Sequence, residues 1–202
     1  MPHKYRRITV LTFFILQIYG MFKKIVFGIF ILLVSQFALA KNVPVDIKAC
    51  FTPSENCTSE IVSEIDKAKK SLYMQAYSFT SDPISKALVE AKKRGVDVKV
   101  LLDKSQVKAK YSSASYLDSQ GIWTRIDYLP AIAHNKVIVI DGKTVITGSF
   151  NFTKAAQFKN AENLLVIQDA ELAEQYTRNW FKRAGVSVAK DTYLAMRNVK
   201  NM

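Results

Sequence analysis

Past residue 44 the spacing of apolar side chains changes repeatedly, and each change marks an element. Residues 45–51 read as a strand. From 58 to 70, Ile61, Val62, Ile65 and Ala68 fall on one side of a helix. Thr58 is its expected cap. Glu60 and Glu64 near the start, with Lys67, Lys69 and Lys70 near the end, suit the helix dipole. Residues 71–79 form a strand rich in aromatics. Asp82-Pro83 opens a second helix through Ile84, Leu88 and Ala91, which Gly95 stops. An apolar strand follows at 96–102. Strand–helix–strand units of this length predict a sheet with parallel pairs.

Further along, 103–113 is polar and lysine-bearing, a predicted surface loop. A modest helix at 111–120 ends at Gly121, and 122–128 is another strand. Residues 129–133 lead into the apolar run 136–140. Asp141-Gly142 is a two-residue hairpin signal. A strand at 163–168 and a closing helix at 170–184 complete the pattern, and the last 18 residues are polar without clear periodicity. Tyr73, Tyr77 and Phe79 alternate within their strand and are read as core, although exposed aromatics there would suit base stacking. No internal repeat is visible.

The first 40 residues are different. They hold five basic residues and no acidic one. Met21-Phe22-Lys23-Lys24 has the form of a charged leader, 25–37 of its apolar stretch, and Ala38-Leu39-Ala40 of a small-x-small cleavage site. Residues 1–40 are therefore expected to be a signal peptide, with Met21 as an alternative start, and 41–202 the exported domain, periplasmic or secreted. A retained membrane segment is the rival reading, because 25–40 falls just short of a comfortable span. Beyond residue 40, 24 lysines and arginines face 17 acidic residues. That excess favours a polyanionic partner, nucleic acid or an anionic lipid surface. Cys50 and Cys57 are close in sequence, and in an exported chain they are expected to form a disulfide. No cysteine–histidine cluster of metal-binding spacing is present, so neither metal nor cofactor is expected.

The chemistry concentrates in one stretch. His134 and Lys136 sit two residues apart, so in a strand they share a face about 6.6 Å apart, with Asn135 pointing away. If Asp141-Gly142 is the turn, Lys136 faces Thr147 and His134 faces Ser149, with Asn151 on the same face. A loop shifted by one residue changes the partners but keeps the two clusters adjacent. Lys136 offers a fixed positive charge, while Ser149 and Asn151 offer donors to phosphoryl oxygens. The imidazole of His134 is the group able to act as a nucleophile near neutral pH without a metal. Glu162 is the candidate to orient it through the other ring nitrogen. Asp141 is assigned to the turn, a strand's length from His134.

His134-x-Lys136-x4-Asp141-x6-Gly148-Ser149-x-Asn151 resembles the HKD signature of the phospholipase D superfamily at every position. The likeness extends over Met74–Thr80, Ala91–Val98 and 148–156, and covers 44–184. The resemblance implies an α/β fold with a mixed central sheet flanked by helices. It also implies a metal-independent phosphodiesterase in which one histidine attacks phosphorus and a second protonates the leaving oxygen. In that scheme His134 is nucleophile or acid, Lys136, Ser149 and Asn151 bind phosphate, and Glu162 occupies the position that orients the histidine; Asp141 and Gly148 support them. The domain has one histidine and the reaction uses two, so a homodimer with a shared active site is expected. The preferred substrate is nucleic acid, cut with little sequence preference; a phospholipase D acting on phosphatidyl head groups is the alternative. A non-catalytic DNA-binding protein on the same fold is the contrasting class, and the intact motif argues against it.

Overall fold

The computed structural model describes residues 16–29 and 45–200. Residues 16–29 form helix α1, almost wholly exposed, in a unit separate from the one that begins at Val45. The rest of the apolar stretch 25–37, and Ala38-Leu39-Ala40, lie outside the described residues. No helix among the described residues is long and apolar enough to cross a membrane.

The second unit is built on a seven-stranded mixed sheet. Its strands are β1 (Asp46–Thr52), β2 (Ser71–Ala76), β3 (Asp97–Asp103), β4 (Trp123–Asp127), β5 (Lys136–Ile140), β6 (Thr144–Gly148) and β7 (Glu162–Gln168), in the order β1-β7-β6-β5-β2-β3-β4. β2, β3 and β4 are parallel, as the strand–helix–strand pattern requires, and every other pairing is antiparallel. The α/β fold with a mixed sheet flanked by helices is thus present.

Alternation along the strands assigns the two faces. Leu72, Met74, Ile138, Ile140 and Ile146 pack with Ile61 and Ile65 of α2 (Cys57–Lys67) and Ile84 and Leu88 of α3 (Asp82–Lys93). Each such side chain contributes roughly 1.5–3 kcal/mol by leaving water. On the other face Val137, Val139 and Val145 meet Ala173 of α6 (Ala170–Ala184). Trp180 of α6 donates to the Met74 carbonyl at 2.9 Å and stacks on Tyr73 at 4.9 Å. Two short helices, α4 (Ala114–Ser119) and α5 (Lys154–Phe158), complete the cover.

Several local expectations shift. The cap of α2 is Asn56, which accepts from Ser59 N–H at 3.1 Å, and Thr58 N–H goes to Gln157 instead. The Cys50–Cys57 disulfide is formed and seats Cys57 in the core, which starts the helix earlier. Closing so short a loop is worth about 2.5 kcal/mol in the chain-entropy account. β2 ends at Ala76, because Tyr77 N–H makes its last rung to the Asn135 carbonyl at 2.8 Å and the chain then turns Phe79 inward. The loop after β3 tightens into a 3-10 turn at Lys104–Val107. The polar tail folds into α7 (Lys190–Lys200), whose Tyr193 is buried beside Tyr128.

Candidate active site

Antiparallel pairing around β5 and β6 brings four chain ends to one edge of the sheet: the end of β2, the start of β5, the end of β6 and the start of β7. Lys136, Gly148 and Glu162 stand at three of those ends.

The hairpin between β5 and β6 has a three-residue loop, with Ile140 paired to Thr144 and Ile138 to Ile146. The expected facing pairs, Lys136 with Thr147 and His134 with Ser149, are therefore displaced by one residue. Asp141 and Gly142 both take positive φ, 53° and 63°. Asp141 tolerates it because its carboxylate accepts three backbone N–H groups, from Lys69, Lys70 and Ser71, at 2.7–2.9 Å. Burial alone would raise its pKa; the three donors outweigh it and hold the carboxyl below its ordinary value. Asp141 thus anchors the turn to the start of β2, at the end of the hairpin remote from His134.

His134 is not in a strand. β5 begins only at Lys136, and His134 lies exposed at the end of the connection that follows β4. The ammonium of Lys136 reaches back to it, with Nζ 2.9 Å from Nδ1, 3.1 Å from Nε2 and 3.0 Å from the His134 carbonyl. In a neutral ring only one nitrogen is an acceptor, so the ammonium pairs with one at a time. Burial lowers the Lys136 pKa, and the charge of Glu162 opposes that shift. The backbone of Lys136 is locked in the ladder while its charged end is only partly compensated, the condition in which a cation favours an arriving anion.

The expected hydrogen bond from Glu162 to His134 is not made. Glu162 begins β7, with β6 between it and β5, and its oxygens are engaged elsewhere. One accepts from Ser149 at 2.6 Å and the other from Asn160 at 2.9 Å. Ser149 in turn accepts from Asn163 N–H at 3.0 Å. Glu162 thus orients Ser149 and supports the charge of Lys136. Gly148 is demanded by the same corner. At φ 147° a Cβ there would lie 2.3 Å from the Asn163 carbonyl, the oxygen that accepts from both Ser149 and Phe150 N–H. Asn151 stands between the fully buried Phe150 and Phe152, and its own Oδ1 is buried without a protein partner. Such an orphaned acceptor at a sheet edge marks a place where a ligand or water donor belongs.

One residue was misread from sequence. Tyr77 is not core: its ring lies 4.4 Å from the imidazole of His134, with the Lys136 ammonium 5.1 Å above it. Its alternation with Tyr73 concealed this, because β2 ends before Tyr77. Phe79 is fully buried as expected, whereas Tyr73 is only half-buried, its ring stacked on Trp180. Near the disulfide, the Glu55 carboxylate lies beside both sulfurs, but disulfide-bonded sulfurs are not thiolate ligands. A cleft of about 560 Å³ opens between the starts of α2 and α3 and the α5 segment, and none of its walls is a motif residue.

Comparison with known proteins agrees with this fold. The family described as cardiolipin synthase, PLD-like domain, matches residues 61–184. A phospholipase D of Rickettsia bellii is 48% identical over 164 residues, spanning 75% of this chain and 82% of the relative. A mitochondrial cardiolipin hydrolase of Xenopus laevis is 30% identical over 137 residues, 66% of this chain and 65% of the relative. The crystal structure of Nuc from Salmonella typhimurium, a phospholipase D family member, superposes with a TM-score of 0.69 at 44% identity, covering 71% of this chain and 97% of that one.

Proposed function

We propose that the chain, a phosphodiester hydrolase that belongs to the phospholipase D superfamily, works as a homodimer in which two copies of His134 face one phosphate. A neutral imidazole nitrogen of one His134 attacks phosphorus, and the bond to the leaving oxygen breaks. His134 of the partner subunit gives that oxygen its proton, then takes a proton from water. The water oxygen attacks the phosphohistidine, the P–N bond breaks, and both imidazoles return to their starting state. The Lys136 ammonium and the Asn151 side-chain NH₂ hold the non-bridging oxygens, and Ser149 joins them when its hydroxyl proton, given to Glu162 in the resting site, turns to the phosphate. The observation that carries this reading is the exposed imidazole of His134 with an ammonium 2.9 Å from its ring nitrogen, in a domain with no second histidine. No step requires a metal.

Nucleic acid is the preferred substrate. Lys108 and Lys110 follow β3, and Lys154 and Lys159 stand at the two ends of α5, so cations lie on segments either side of the site in strand order. A polymer with repeated phosphates uses such a spread better than a single head group does. Phospholipid hydrolysis is the second reading. Leu129 and Ile132, each 56% exposed in the connection that carries His134, favour it as an apolar lip for a membrane surface, and so do the names of the relatives. The basic-then-apolar leader supports export to the periplasm or medium, with membrane attachment as the alternative.

The test is turnover of single-stranded DNA, duplex DNA, RNA and phosphatidylcholine vesicles with chelator present. Cleavage of nucleic acid, abolished in His134→Ala, is expected. Hydrolysis of vesicles alone moves the substrate to the second reading. Binding of nucleic acid without turnover, or activity lost to chelator, contradicts the mechanism.

A further inference from the structure

We propose that Asp103 is a positioning residue for His134, acting through the segment that carries it; this rests on His134 being the reacting group. Residues 128–135 run between the end of β4 and the start of β5. The catalytic imidazole therefore stands on a segment outside the regular strands, and its position depends on a few individual bonds.

Three residues supply those bonds. Tyr77 N–H holds the Asn135 carbonyl, the last rung of the β2–β5 ladder. Lys104 Nζ donates to the Pro130 carbonyl at 2.7 Å and, more weakly, to the Tyr128 carbonyl at 3.4 Å. Asp103 Oδ2 accepts from Ala133 N–H at 2.7 Å, one residue before His134. Its other oxygen accepts from Ser105 N–H at 2.8 Å, which caps the 3-10 turn after β3. Asp103 is 3% exposed and Ala133 7%, so water has little access to replace that bond.

The neighbouring carboxylate cannot substitute. Asp127 pairs with Asp103 across the β3–β4 ladder but is itself engaged by the Arg183 guanidinium. A neutral amide at 103 cannot serve both donors either: its carbonyl oxygen accepts one N–H, while its NH₂ group faces the other. A buried carboxylate is thus what this position requires, at a desolvation cost that a side chain without a task would not justify. Gln106, 5% exposed, extends the brace by accepting Phe79 N–H, two residues beyond the Tyr77 that lies against His134. The end of β3 therefore holds both loops that frame the imidazole.

Asp103→Asn and Lys104→Met separate this role from general stability. In full-length protein we expect kcat to fall about 100-fold for Asp103→Asn, the scale of an ångström's misplacement, with KM unchanged within about twofold. Lys104→Met, which leaves the buried carboxylate intact, is expected to lose about tenfold in the same way. In both, the ring-carbon proton signals of His134, assigned by their loss in His134→Ala, are expected to shift; the thermal midpoint falls by several degrees for Asp103→Asn, which leaves a buried N–H without its acceptor, and moves little for Lys104→Met, both staying folded at assay temperature. If the His134 signals stay in place, or if kcat falls only with the folded fraction, the proposal is overturned. Should Asp103→Asn fail to fold, Lys104→Met carries the test alone. Should the wild type turn over no phosphodiester, the functional reading fails instead, and the His134 signals still decide whether the brace exists.

Discussion

The two ends of the β5–β6 hairpin treat polar groups in opposite ways. At the closed end Asp141 is saturated by three backbone donors, and its lowered pKa reflects groups arranged around its charge. At the open end the Lys136 charge is under-solvated, the Asn151 oxygen lacks a protein partner and the imidazole of His134 faces outward. A strand pair locked by one turn can hold unsatisfied groups at its other mouth without losing register. A phosphate would answer the Lys136 charge, while the Asn151 oxygen, an acceptor, calls for a donor such as water.

Substitutions at the two ends should therefore give opposite signatures. The largest effect is expected for His134→Ala: turnover falls by about 10⁴-fold or more, while the thermal midpoint is unchanged because the side chain is exposed. Lys136→Met comes next, with a loss of about 10³-fold in kcat. Its pKa is lowered in the fold, so the charged form is disfavoured at every pH below that lowered value. The cost is relieved only as pH rises towards the unfolded value, so at neutral pH the methionine variant should melt at the same temperature or slightly higher. A marked fall in melting temperature would show that the charge is satisfied after all.

Asp141→Ala should reverse the pattern, losing about 2–4 kcal/mol in denaturant titration while the folded fraction keeps its kcat. The sign with pH follows from the depressed carboxyl. Its contribution is complete above the ordinary aspartate value of about 3.9 and is lost as pH falls through the lower folded value. The alanine variant should show a flatter acid limb. Gly148→Ala sharpens the comparison with the smallest effect, because the clash with the Asn163 carbonyl strains the corner that holds Ser149. A cost of about 1–3 kcal/mol and roughly tenfold in kcat are expected.

Much of this was legible in the chain. Periodicity located the parallel strands and the main helices, and Asp141-Gly142 located the hairpin, because those signals are local. The loop length was not legible: the Asp141 carboxylate bonds to residues about 70 positions away, and the register moved by one. Tyr77 looked like core because alternation continues in sequence past the point where pairing stops. Glu162 was linked to the wrong partner for a similar reason, since strand order, which sets β6 between β7 and β5, is decided by tertiary packing. Asp103 carried no signal at all; its role appears only when two distant loops meet. The α7 segment was missed because its anchor, Tyr193, is one aromatic in a polar tail.

The central claim, two imidazoles at one phosphate, is tested most directly by co-refolding wild type with His134→Ala in graded proportions and measuring total activity. A shared site predicts that activity follows the square of the wild-type fraction, so that an equal mixture retains about a quarter. A straight line, with about half retained, would mean that each chain works alone and would contradict the account.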